Sequence, residues 1–242
     1  MADLPPELWD ATAVASFLAT AAILLAASLA SASALPATTS PPLRFLFAWH
    51  LADALCHFLL EGGFLYHCFF SHVRRDAAAA AAAADLASLF PTPYNFLGWG
   101  AERIYGPQSG GDSPLAQLWM VYARADRRWA GVDLGVVSLE LLTVFFAGPV
   151  ACLVCYLIRK QSPKACFWMI VLATAELYGG FMTFCPEWLT GNLNLNGSNF
   201  MYMWVYLVFF NGLWVVVPLY AIWYSYGQIC NAFAAQAARK DL

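Results

Sequence analysis

Residues 50–70 read HLADALCHFLLEGGFLYHCFF. The run is apolar and long enough to cross a bilayer, yet it carries His50, Asp53, His57 and Glu61. Hydrocarbon offers no water to unpaired backbone groups, so such a run must fold as a helix. On a helix the four positions fall at i, i+3, i+7 and i+11 and share one narrow face. Ionisable groups at membrane depth are costly and turn toward a bundle interior or a cavity. One polar residue there could serve only as interhelical glue. Four on one stripe, with His57 and Glu61 a turn apart, mark a functional site.

The rest of the 242-residue chain agrees with a membrane setting. Charged residues make up 11% of it, about half the share of a soluble domain. The expected fold class is all-α, an integral membrane bundle of five transmembrane helices. The spans run from about 11 to 35, 43 to 70, 132 to 158, 165 to 189 and 200 to 226. The net charge of -3 and the lack of a basic run argue against nucleic acid as a partner. Seven cysteines lie scattered, most in apolar spans, and read as small buried hydrophobes. Cys152 and Cys155 form a lone CxxC on a membrane helix, a poor metal or redox site.

The predicted organisation is a lumenal N-terminus (1–10), a membrane domain (11–226) and a cytosolic tail (227–242). Ala32-Ser33-Ala34 resembles a signal-peptidase site. The preceding segment is acidic and the apolar run too long for a signal peptide, which favours an uncleaved first helix. Prolines at 36, 41 and 42 make the first turn. Residues 71–131 form a polar insert that opens with an alanine tract, Ala77 to Ala84, to which no function is assigned. Its last part, LAQLWMVYARADRRWAGVD, mixes aromatics with arginines and reads as an interfacial amphipathic segment. The third span carries Asp133, Glu140 and Thr143. The fourth carries Glu176, Gly180, Thr183 and Glu187, and the fifth Trp204, Asn211 and Trp214, with Pro218 expected to kink it. Arg159, Lys160, Lys164, Arg239 and Lys240 place the C-terminus in the cytosol by the positive-inside rule, although the second-loop arginines oppose this.

The cores of spans two to five hold Asp53, Glu61, Glu140 and Glu176 but no Lys or Arg. A site lined by acids, a histidine and aromatics suits a positive charge, and a buried carboxylic acid can donate a proton near neutral pH. His57 and Glu61 form an adjacent acid–base couple, and Trp214 and Trp204 offer faces to a cation. Asn211 and Thr143 supply neutral hydrogen bonds, although Asn211 is equally suited to clamp helices and Thr143 to bond its own helix. Trp204 reads as packing, and His50 and His67 as structural. Glu187 and Asp133, near span ends, are expected to be solvated. No metal is indicated, because His57 and Glu61 are too few ligands and no HExxH or Cys/His cluster occurs. The residues singled out as catalytic are His57, Glu61 and Glu140.

Five pieces of the chain resemble one known family. They are CHFLLEGGF, LWMVYARADRRW, SLELLT, ELYG and FFNGLWVVVP, in order between about 45 and 225. The family is that of the emopamil-binding proteins, sterol Δ8-Δ7 isomerases with the EXPERA domain. DALCHF and AELYGGFMTFCPEWLTGNLNLNGSNF look closer still to the emopamil-binding-protein-like branch. The resemblance places an EXPERA-like region at about 43–226. It implies a multi-pass endoplasmic-reticulum protein with a sterol cavity and no cofactor. It implies that the C8–C9 double bond is protonated, a carbocation forms and a C7 proton is removed. His57 and Glu61 match the family's proton-handling pair. Glu140, Thr143, Asn211 and Trp214 match residues lining the cavity, and Tyr178 falls in the matching ELYG. Sterol, membrane lipids and cationic amphiphilic inhibitors are the partners implied, with a homodimer as a candidate assembly. The isomerases tend to have Gln where this chain has Glu176, and Asp53 is an added acid. The competing functions are a non-catalytic membrane protein that binds sterols or cationic amphiphiles and, last, a proton-coupled transporter, for which no internal repeat speaks.

Overall fold

In a computed structural model, residues 10–74 and 92–240 are described; the alanine tract and residues 1–9 lie outside them. The chain is 78% helical, and among the described residues five helices are long and apolar enough to cross a membrane. It is a multi-pass membrane protein with an all-α bundle. The spanning helices are α1 (Ala11–Ala34), α2 (Pro41–Phe70), α4 (Leu134–Arg159), α5 (Lys164–Leu189) and α6, which starts at Met201. Helix α3 (Pro114–Tyr122) lies in the connection between α2 and α4. Strands β1 (His72–Arg74) and β2 (Arg103–Tyr105) pair antiparallel, His72 opposite Tyr105.

Local chemistry sets the helix ends. Asp10 caps α1 by accepting the Ala13 amide at 2.7 Å, and Asp133 caps α4 through the Val136 amide at 2.9 Å. Pro41 and Pro42 open α2, where the missing amide costs nothing. Arg44 donates to the carbonyls of Ser31, Leu35, Pro36 and Thr39, serving the groups that the end of α1 leaves open.

Helix α2 is central. It packs against α1 and α4, while α5 lies along α6 and against α4. Leu46, Phe47, Val154, Ile158, Met169 and Leu172 form the main apolar core where α2, α4 and α5 meet. Leu18, Leu24, Leu25 and Leu29 of α1 remain exposed, as a lipid-facing surface requires.

Three stretches depart from the α-helical spacing expected from the sequence. Cys56–Glu61 in α2, Thr143–Ala147 in α4 and Met201–Phe210 at the start of α6 are π-helical. The stretch in α4 runs directly into Gly148-Pro149, where a proline would clash with an α-helical carbonyl four residues back. The π stretches of α2 and α4 touch each other. The last helix is also longer than expected. It continues to Lys240 rather than ending near Tyr226, because no breaker follows Gly227.

The connection between α2 and α4 is built into the bundle. Trp119 and Trp129 stack at 4.6 Å and 7°, both against buried Phe64 of α2. The Trp119 indole donates to the Leu60 carbonyl at 2.9 Å, inside the π stretch. Arg128, expected at the headgroup level, is instead buried. Its Nε and Nη2 donate to Asp126 at 2.9 and 2.6 Å, and its Nη1 to the Thr183 carbonyl at 2.7 Å. Burial pushes the Asp126 carboxyl up despite that fork. Burial works against the Arg128 charge as well, but Asp126 outweighs it and holds the guanidinium above its ordinary range. Glu187, expected to be solvated, is buried too. It accepts the Asn194 amide at 2.9 Å and side chain at 2.8 Å, and lies 3.7 Å from Arg128.

Candidate active site in the bundle

The polar stripe of α2 faces inward, with His50, Asp53 and His57 all buried. His57 stands between two acids. Its Nδ1 is 2.6 Å from Glu61 Oε2 and its Nε2 is 3.1 Å from Asp53 Oδ1. The first contact has hydrogen-bond geometry, whereas Nε2 finds no aligned partner. The π stretch begins immediately before His57 and ends at Glu61, so its winding sets the relation of this pair. Such stretches recur at functional sites.

Glu140 comes to the pair from α4. It is buried, and its carboxyl faces Glu61 at hydrogen-bond range. A hydrogen bond between two carboxyls needs a proton on one of them. Thr143 Oγ1 lies 3.0 Å from Glu140 Oε2 and 3.0 Å from the Glu140 carbonyl, so it serves both its helix and the acid. His57, Glu61, Glu140 and Thr143 thus form one continuous polar chain across the α2–α4 contact.

A second acid pair lies beside it. Asp53, His57 and Glu176 present side-chain atoms within 4.8 Å of one another, Glu176 coming from α5. Trp214 of α6 donates its indole N–H to Asp53 Oδ1 at 2.9 Å, and its ring lies 5.3 Å from that of Trp49. Trp214 therefore reaches the site through its N–H.

Asn211 is held elsewhere. Its Nδ2 donates to the Tyr122 hydroxyl at 3.0 Å and to the Tyr206 and Leu207 carbonyls at 3.0 and 2.9 Å. It ties α6 to α3, and burial pushes the Tyr122 hydroxyl up. Tyr178, expected at the substrate, is 63% exposed. Trp204 is exposed as well. A cavity of about 340 Å³ lies at the loop end of the bundle, between Thr39, Ser162, Tyr224 and Gln228, and none of the expected site residues lines it. Replacing Asn211 with Leu should cost about 1–3 kcal/mol, since it leaves buried groups unpaired; thermal unfolding in detergent measures this.

Residues 114–225 match the family model EBP: EXPERA (EXPanded EBP superfamily). That region is similar to the EXPERA domain and makes up a little under half of the chain. The EXPERA match contains Glu140, Thr143, Glu176, Asn211 and Trp214, while His57 and Glu61 precede it. Among relatives, the chain is 24% identical over 236 residues to a rice (Oryza sativa subsp. japonica) protein named probable 3-beta-hydroxysteroid-Delta(8),Delta(7)-isomerase. That match covers 98% of this chain and 90% of the rice protein. It is 29% identical over 109 residues to the guinea-pig (Cavia porcellus) protein named 3-beta-hydroxysteroid-Delta(8),Delta(7)-isomerase, covering 45% of this chain and 48% of that one. It is 32% identical over 124 residues to an isomeliandiol synthase of Melia azedarach, covering 49% and 57%. The chain therefore spans about half the length of the latter two relatives and nearly all of the rice protein.

The joining of Glu176 to Asp53 across two helices, and the Trp214 N–H on Asp53, were not readable from spacing along any single helix. Tyr122 had no signal beyond its place in an aromatic segment. It emerges here as the partner of Asn211.

Proposed function

We propose that this chain is a double-bond isomerase acting on a sterol or related terpenoid in the endoplasmic-reticulum membrane. The reaction shifts a Δ8 double bond to Δ7. A proton is added at the C8–C9 double bond, the cation forms, and a C7 proton is lost, so no proton is gained or lost overall. The observation that carries this reading is the 2.6 Å contact of His57 Nδ1 with Glu61 Oε2, in the middle of a spanning helix and beside the buried Glu140. The pair can give a proton to C9 and take one from C7, the two carbons that flank C8. Glu140, held by Thr143, places a second acid where positive charge develops. Charge stabilisation in a dry preorganised site is usually the largest catalytic contribution.

The relatives' names support the substrate class. The test is expression in yeast lacking its own sterol Δ8-Δ7 isomerase, with sterols read by mass spectrometry. Δ7 sterol should appear. If only Δ8 sterol accumulates while the chain is present in the membrane, the isomerase reading fails. Saturable binding of a cationic amphiphile under that outcome would instead mark a non-catalytic binder.

A further inference from the structure

His57 has an acid on each ring nitrogen, and the two acids are placed differently. On the Nδ1 side, Glu61 Oε2 lies at 2.6 Å, and Glu61 shares a proton with Glu140. That short contact works in either direction, since a carboxyl can donate or accept. On the Nε2 side, Asp53 Oδ1 lies at 3.1 Å and already accepts the Trp214 indole N–H at 2.9 Å. The Asp53 carboxyl also shares a hydrogen bond with Glu176 of α5. Nitrogen donors surround Asp53, whereas none reaches either Glu176 oxygen. The charge of that pair therefore belongs on Asp53 and its proton on Glu176. Nε2 meets only an accepting oxygen, so it carries a proton of its own. It is not aligned for a straight hydrogen bond, and the contact acts through charge.

We propose that Asp53 is a positioning residue for His57: its carboxylate holds a proton on Nε2, so that Nδ1, toward Glu61, is the nitrogen through which protons move. Glu176 stands behind it as a neutral donor that keeps Asp53 charged. The inference rests on the isomerase reading and adds two residues to it. In one turnover a proton leaves the Nδ1–Glu61 couple for C9, and the C7 proton returns to that couple. The protons on Nε2 and Glu176 stay in place, so none is gained or lost. When Nδ1 holds the moving proton the ring is an imidazolium, and the Asp53 charge at 3.1 Å stabilises it. A carboxylate behind a proton-handling imidazole fixes the tautomer and stabilises the charged ring in this way. Asp53 is 1% exposed, so solvent does not screen its charge. The arrangement draws on α2, α5 and α6 together, which is why the spacing of α2 alone could not show it.

Microsomes carrying the full-length chain or its variants at matched level are assayed over a range of Δ8 sterol concentrations, and thermal unfolding in detergent checks that each variant is folded. Asp53→Asn keeps the shape and an oxygen for the Trp214 N–H but removes the charge. It should lower the maximal rate by about 10²-fold or more. KM should stay nearly unchanged, because Asp53 acts on the ring and not on the sterol. Glu176→Met removes the donor and should also lower the maximal rate. Glu176→Gln, which restores a neutral donor, should recover most of that loss, whereas packing alone would favour Glu176→Met. An active wild type with Asp53→Asn as fast, or with Glu176→Gln no better than Glu176→Met, would overturn the proposal. A wild type that makes no Δ7 sterol defeats the isomerase reading instead. Nitrogen NMR of the detergent-solubilised chain with isotope-labelled histidine then still reads the ring, the His57 signals being those lost in His57→Ala. Nε2 should carry a proton in the wild type, and a bare Nε2 would overturn the role given to Asp53.

Discussion

Replacing His57 with Ala, or Glu61 with Gln, is expected to lower Δ8-to-Δ7 conversion by about 10²- to 10⁴-fold, the range of a lost general acid or base. Microsomes carrying each variant at matched protein level, supplied with Δ8 sterol, give the measurement. The two residues touch at 2.6 Å and act as one couple. Changing both should therefore cost little more than changing either, since members of one catalytic unit are not additive. Two independent losses that multiply would place them in separate roles. Glu140→Gln keeps the shape but removes the carboxyl that shares a proton with Glu61. It should lower the maximal rate while leaving KM nearly unchanged, because that acid is needed only when the cation forms. An equal rise in KM with no loss of rate would assign Glu140 to substrate binding instead.

The largest expected effect on stability lies outside the spans. Arg128→Met removes the fork on Asp126, the bond to the Thr183 carbonyl and the neighbour of Glu187 together. Breaking a buried ion pair from one side costs about 3–5 kcal/mol, because the remaining charge is stranded. A matching fall in the thermal midpoint of the detergent-solubilised chain is the expected reading. Adding Asp126→Leu to Arg128→Met should recover much of the loss, since Glu187 retains both bonds from Asn194. No recovery would mean that the segment is held by its shape rather than by its charges.

The spans and the inward stripe of α2 could be read from the sequence because a bilayer allows few alternatives. An apolar run of that length must be helical, and acids within it must face other helices. What lay beyond reach depended on contacts between helices. Nothing in the spacing of α5 distinguished Glu176, which meets Asp53 and His57, from Tyr178 two residues on, which faces outward. Glu187 looked solvated because it stands near a span end. It is buried because residues 124–130 fold back against it with Arg128. Asn211 looked suited to a ligand or a clamp, and its three bonds are those of a clamp.

The π stretches bear on how such chains are compared. A π turn climbs the same height with one residue more than an α turn, so Cys56–Glu61 and Thr143–Ala147 each behave as an insertion accommodated without a loop. A distant homologue that lacks the extra residue would still superpose on both sides of it. Its motif would drift by one position unless a single gap were opened inside an otherwise unbroken helix. Placing that gap by structure rather than by hydrophobic pattern is what would bring the true counterparts of His57 and Glu140 into the same columns.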